Sequence, residues 1–207
     1  MSRIEPGIKA GLRVKSGQVI ATMGRTSSVT TIGKDRAHVH FELNLLVNNR
    51  FSAWFKKNLP GERNDHGDWN GQNFIGLDPR LIFLEEQKLG AKFNLQNFIR
   101  NQTELCRVVV RDTDFPWLHR YPQLIRRNPV AEKEGVAGYE IALNFNALPY
   151  ELIPRAASEL KSKASVQLLS VNAVEQQKNP ARRLVSDAKG RWSLTEHGLR
   201  AVSLLIY

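Results

Sequence analysis

The sequence predicts a mainly β part over residues 1–90, followed by a small, basic α+β accessory domain over residues 91–207. Three patterns carry this. GLRVKSGQVIATMG (11–24) sets short apolar runs on either side of a Ser-Gly turn. AHVHFELNLLV (37–47) alternates between two faces, and GYEIALNFNAL (138–148) alternates again among helix-like segments.

The elements follow in order. Leu12 and Val14 lead into the turn at Ser16-Gly17; Val19, Ile20 and Ala21 follow, closed by Gly24. RTSSVTTIGKDR (25–36) reads as a polar loop, and AHVHFELNLLV as one long strand. Residues 48–76 are rich in Asn, Gly, Asp and aromatics without a sustained period. They are expected to form a long ordered loop or insertion, and loops of that size tend to be functional. DPRLIFLEEQKLG (78–90) has helix punctuation: Asp78 at the N-cap, Pro79 at the first position and Gly90 past the end. From residue 91, KFNLQNFIRNQTEL suggests a short helix and LCRVVVR a buried strand. GYEIALNFNAL places Tyr139, Ile141, Leu143 and Phe145 on one face. YELIPRAASELKSK suggests a helix interrupted near Pro154, and ASVQLLSV a strand. The tail RRLVSDAKGRWSLTEHGLRAVSLLIY reads as three strands joined by turns.

With 207 residues, 42% hydrophobic and 24% charged, the chain can bury a core as one large domain or two small ones. No stretch is long and apolar enough to cross a bilayer. The opening MSRIEPGIKAG lacks the apolar core of a signal peptide. The single cysteine, Cys106, excludes an intramolecular disulfide and a cysteine-based zinc cluster; within LCRVVVR a buried, inert thiol is expected. The net charge is +10, with 13 Lys and Arg against 9 Asp and Glu in residues 1–90 and 17 against 11 in residues 91–207. A positive excess spread over both parts favours a polyanionic partner such as nucleic acid, anionic lipid or an acidic wall polymer.

The most informative stretch is DRAHVHFEL (35–43). On a strand, His38, His40 and Glu42 share one face, with the two imidazoles roughly 6.5–7 Å apart at the backbone. That spacing lets one imidazole bind a metal while the other reaches a group held by it. Catalytic zinc takes three protein ligands and keeps a position for water, whose pKa falls to about 7. A neighbouring histidine can take a proton from that water or stabilise the oxyanion that forms. An isolated His-x-His also suits the wet face of an alternating strand.

In context, GLRVKSGQVIATMGRTSSVTTIGKDRAHVHFEL resembles the lysostaphin-type zinc metallopeptidases, which cut peptide cross-bridges in peptidoglycan. Gly11, Val14, Gly17, Gln18, Ile20 and Gly24 match that family's G-x-x-V-x-x-G-Q-x-I-x-x-x-G hairpin, and His38, His40, Phe41 and Glu42 its H-x-H-F/Y-E. The resemblance covers roughly residues 7–47 and resumes at GLDPRLIFL. The V-x-x-G-Q-x-I piece alone is shared with biotinyl-type and sugar-phosphotransferase domains of related sandwich fold. The resemblance implies a β-sandwich, barrel-sandwich-hybrid-like core, Zn2+ as cofactor, His40 as zinc ligand and His38 as the residue acting on the water or the tetrahedral intermediate. It also implies peptidoglycan or another anionic cell-wall polymer as partner, and a periplasmic or extracellular location.

The family takes two further ligands, a His and an Asp, and another catalytic His from segments upstream of these motifs. No histidine precedes His38 here, so the domain starts in mid-pattern, as though Met1 were an internal methionine. One ligand of three does not hold catalytic zinc, and the chain as given is expected to be inactive. A sheet lacking its first strands would expose an unpaired edge, so dimerisation or aggregation is expected.

Asp65, His66 and Asp68, in NDHGDWNG, are chemically able to bind zinc, with His66 and Asp68 the possible substitute ligands. They lie downstream, against the family's order, and a Gly-Asp-Trp-Asn turn is more often a hydrogen-bonded loop. If the insertion lines the cleft, Trp69 and Asn70, with Trp54, would contact substrate; they suit covering a sheet edge equally well. His119, in DFPWLHRYPQL, reads as a packed structural histidine and His197 as a turn residue. Asp112, Asp114 and His119 match no familiar ligand spacing. Arg126-Arg127 and Arg182-Arg183 read as solvated edges. No phosphate-binding glycine loop, G-x-S-x-G or H-E-x-x-H is present.

The sequence thus reads as the C-terminal part of a lysostaphin-type domain that hydrolyses peptidoglycan peptide bonds in full-length form. A non-catalytic wall-binding or hydrolase-regulating member is the alternative. A basic nucleic-acid-binding protein ranks below both, since no recognition motif for a specific nucleic acid is present.

Overall fold

The computed structural model describes residues 2–25, 32–181 and 183–207. Half of the expected polar loop at 25–36, and Arg182, lie outside the described residues. Helix makes up 35% and strand 23%, a mixed α+β content in several small sheets that replaces the expectation of a mainly β fold. The chain divides into two units, Met1–Glu42 and Leu43–Tyr207.

In the first unit, β1 (Arg3–Ile4) pairs antiparallel with β2 (Ala21–Thr22), Arg3 opposite Thr22. The expected turn is present, with Gly17 at φ 78°, a left-handed conformation that costs glycine little. The expected apolar runs do not pair around it: Leu12, Val14, Val19 and Ile20 are exposed. A 3-10 turn at Lys34–Arg36 precedes the histidines. No described residue of this unit is buried.

The second unit begins with β3 (Leu43–Leu46), much shorter than the expected strand over 37–47. Its partner β4 (Phe74–Leu77) ends opposite Leu43, so residues 37–42 lack the ladder that would make them a strand. Between them lies the expected insertion, and it holds a helix, α1 (Phe51–Asn58), that its composition did not reveal. A reciprocal amide pair closes the insertion: Asn48 N donates to Asn73 Oδ1 at 2.9 Å and Asn73 Nδ2 to the Asn48 carbonyl at 2.7 Å. Asn48 Nδ2 also donates to the Leu204 carbonyl, and Trp54 Nε1 to Ser203 Oγ. Next comes α2 (Pro79–Leu89) as punctuated, Asp78 Oδ1 accepting from Arg80 N and Leu81 N.

The expected short helix is α3 (Leu95–Arg100) and the expected buried strand β5 (Cys106–Val110). Helices α4 (Pro116–Arg120) and α5 (Pro129–Glu134) lead to β6 (Gly138–Leu143). The segment expected as an interrupted helix is instead β7 (Pro149–Arg155), hairpin-paired with β6. Pro154 is tolerated because β7 is an edge strand. With β8 (Val166–Val171) these form an antiparallel sheet in the order β7-β6-β5-β8. One face, including Cys106, Val108, Val110, Ile141 and Leu152, is fully buried. Helix α6 (Ala173–Lys178) precedes the hairpin of β9 (Val185–Ala188) and β10 (Arg191–Leu194). The chain ends in α7 (Glu196–Leu205), where a third strand was expected. Thr195 Oγ1 accepts from Gly198 N and caps it, and one face of the helix buries Val202 and Leu205.

The core joins Phe51, Trp54 and Phe55 of α1 to Leu105, Val108, Trp117, Ile141 and Leu205 in one cluster. The two units divide at 42/43, and residues of the insertion share this cluster with residues of the segment after 91. No helix among the described residues is long and apolar enough to cross a membrane.

Candidate functional site

The turn at Lys34–Arg36 ends at Ala37 in extended backbone (φ −66°, ψ 129°), and the next residues place His38, His40 and Glu42 in sequence along one side. The two imidazoles stack, centroids 4.8 Å apart and planes 18° apart. His38 Nδ1 lies 2.7 Å from the Arg36 carbonyl oxygen and His40 Nδ1 3.3 Å from Glu42 Oε1. The two Nε2 atoms face each other at 2.7 Å. The intervening Val39 and Phe41 are 74% and 62% exposed, so the segment presents apolar side chains to solvent as well.

Proton counting defines what this pair can do. A carbonyl oxygen only accepts, and so does an ionised carboxylate, so both Nδ1 atoms are donors. A neutral imidazole has one N–H; with both hydrogens on Nδ1, two bare Nε2 lone pairs meet at 2.7 Å. That contact becomes favourable with a cation between them, or when His40 carries its hydrogen on Nε2 and gives up the longer contact to Glu42. Two nitrogens on one tetrahedral zinc stand about 3.4 Å apart, given bonds of about 2.0–2.1 Å, so joint ligation needs a small opening of the rings. Ligation through His40 alone, with His38 facing the metal's water, needs a wider opening still, since metal and water would then lie between the two nitrogens. Imidazole nitrogens are of a type that zinc takes, but the described residues bring no third ligand to this pair.

The other sequence candidates lie in the second unit. Asp65 pairs with Arg63 at 2.8 Å, and His66 is an exposed residue opening the 3-10 turn Gly67–Trp69. Asp68 Oδ1 accepts from Ser52 N at 2.9 Å and Ser52 Oγ at 2.8 Å, so its carboxylate secures the first turn of α1. Trp69 is 73% exposed and stacks on Phe74 with centroids 6.2 Å apart. Asn70 Oδ1 accepts from Gln72 N and its Nδ2 donates to Asn64 Oδ1. Trp54, weighed as a substrate contact, is instead 1% exposed in the core. Among the described residues no group of three or more His, Cys, Asp or Glu is placed to hold a metal ion.

His119, expected to be packed, is instead exposed and bonded through Nε2 to Asp114, while Asp112 Oδ1 accepts from Asp114 N. Its aromatic neighbour Trp117 takes the buried side of α4 in its place. His197 lies in the first turn of α7, not in a loop. Arg126 pairs with Glu151 and Arg127 with Glu132. Two features escaped sequence reasoning. One is an ion cluster on the second face of the main sheet, where Arg107 joins Glu104, Glu140 and Glu151 and Arg155 joins Glu140 and Glu159. Its signal was the charged residues alternating with the buried ones in β5, β6 and β7. The other is a cleft of about 240 Å³ lined by Asn49, Arg50, Pro116, His119 and Arg120, which left no mark in the sequence because its walls come from separated segments.

No family model, no curated protein and no solved structure matches this chain.

Proposed function

We propose that this chain carries the His-x-His part of a lysostaphin-type zinc site for hydrolysing peptide bonds in peptidoglycan, outside the cytoplasm, within a sandwich-type core. The observation that supports it is the pair of Nε2 lone pairs of His38 and His40, turned together by an acceptor behind each ring. His40 would hold the metal, with the Glu42 carboxylate behind its Nδ1 orienting the ring. His38, its Nδ1–H held by the Arg36 carbonyl, keeps Nε2 as the atom that accepts a proton. Zinc, when bound, supplies an acidified water and polarises the peptide carbonyl. By itself the chain is expected to be inactive; hydrolysis is expected where a segment preceding the hairpin adds the family's second histidine and its aspartate. The net charge of +10 also favours a second reading, non-catalytic binding to an anionic wall polymer.

Zinc titration followed by the imidazole NMR signals tests this. His38 and His40 are expected to respond together, with binding abolished in His40→Ala and unchanged in His66→Ala. Signals of His38 and His40 that stay fixed in millimolar zinc once the upstream segment is added would sink the reading. Incubation with purified peptidoglycan separates the two wall readings: binding is common to both, and release of peptide fragments once the upstream segment is added belongs to the hydrolase alone.

A further inference from the structure

Six of the thirteen described arginines in the second unit, Arg63, Arg107, Arg126, Arg127, Arg155 and Arg200, each meet a carboxylate. Arg50 and Arg120 have no carboxylate partner among the described residues, and both line the 240 Å³ cleft with His119, Asn49 and Pro116. No lining residue is acidic. Arg50 makes one long bond, 3.4 Å to the main-chain oxygen of Tyr207. Two guanidiniums without a side-chain carboxylate on one concavity offer an anion positive charge and paired N–H donors.

The walls are anchored, which limits the ordering that binding would require. Arg50 N donates to Oδ1 of the buried Asn48 at 2.7 Å. On the other side, Pro116, Trp117 and Leu118 of α4 are buried, Trp117 packs on Tyr121 at 4.3 Å between centroids, and Tyr121 OH donates to the Leu46 carbonyl. His119 and Arg120 therefore stand on a fixed turn. Asp114 holds His119 through Nε2 and leaves Nδ1 as its remaining polar atom.

We propose that this cleft is a binding site for a phosphate-class oxyanion, clamped by Arg50 and Arg120 and hydrogen-bonded by His119. Guanidinium forks match phosphate oxygens in pairs, and two such forks suit a phosphate better than a singly charged carboxylate. The site is independent of the histidine pair in the first unit and stands whether or not zinc binds there.

The test is an NMR titration of the whole chain with inorganic phosphate at constant ionic strength. Saturable shifts confined to Asn49, Arg50 and the α4 residues are expected, weakened at least tenfold in Arg120→Gln and unchanged in Arg63→Gln, whose guanidinium is paired with Asp65. Shifts that do not saturate, or that persist unweakened in Arg120→Gln, would overturn the site. Equal affinity for acetate would overturn the phosphate assignment.

Discussion

Cys106 has no solvent exposure, and burial, reinforced by the nearby Glu104 carboxylate, pushes its thiol up to about 12. The thiolate is the reactive form, so a thiol reagent at pH 8 should leave the folded protein unmodified and label it once urea unfolds it. The same shift has a sign in stability. Because the folded pKa lies above the unfolded one, the contribution is complete below the ordinary thiol value of 9.0 and is lost as pH rises from there toward 12. Wild type should lose stability over this range by up to roughly 1.4 kcal/mol per pH unit more than Cys106→Ala, read from urea melts. Parallel pH profiles would show the thiol to be reachable by water. Asp68 illustrates residue identity misread in the other direction: a carboxylate with the chemistry of a ligand is spent on Ser52 at the start of α1.

At the scale of elements, the approach of α7 to the backbone at Leu184, just before β9, depends on one missing side chain. A Cβ at Gly198 would meet the carbonyl oxygen and carbon of Leu184. Helix propensity favours alanine over glycine by about 1 kcal/mol, yet the contact is with backbone and has no rotamer to escape into. Gly198→Ala is therefore expected to cost a net 1–2 kcal/mol or so, seen as a lower urea midpoint, whereas Gly71→Ala, with open space around it, should lie within about 0.5 kcal/mol of wild type. A stabilised Gly198→Ala would mean α7 can move off Leu184. The main sheet shows a different division of labour. One face is apolar and buried, and the other carries Arg107 among Glu104, Glu140 and Glu151, at bond lengths of 2.6–3.2 Å. Glu140 is only 9% exposed and is shared by Arg107 and Arg155, so removing both arginines would strand a carboxylate, a costlier change than removing the set together.

Across the whole molecule, stability is unevenly distributed. The second unit holds the buried core, while no described residue of the first is buried and its β1–β2 ladder spans two residues on each side. Amides of Val108 and Ile141 should exchange only through global unfolding, and those near Arg3 and Thr22 orders of magnitude faster. Equal protection in the two places would show that the first unit shares the cooperative core. Much of this was legible beforehand where local rules dominate. Asp78-Pro79 and Gly90 delimit α2, the alternation from Gly138 makes β6, and His38, His40 and Glu42 come together because residues two apart in extended chain share a side. Elsewhere the local signal was ambiguous. YELIPRAAS suits a broken helix until β6 offers it a ladder, and EHGLRAVSLL suits a strand until its 3.6-residue face finds the core. Residues 37–42 failed as a strand for the converse reason, since β4 stops opposite Leu43. The sequence by itself thus determined the turns, the caps and the chemistry of the histidine pair, which depend on neighbours within a few residues. Only the tertiary structure decided which apolar runs became strands or helices, joined the insertion to the C-terminal core, and brought Arg50 beside Arg120, because backbone pairing, burial and charge convergence are set by residues far apart in the chain.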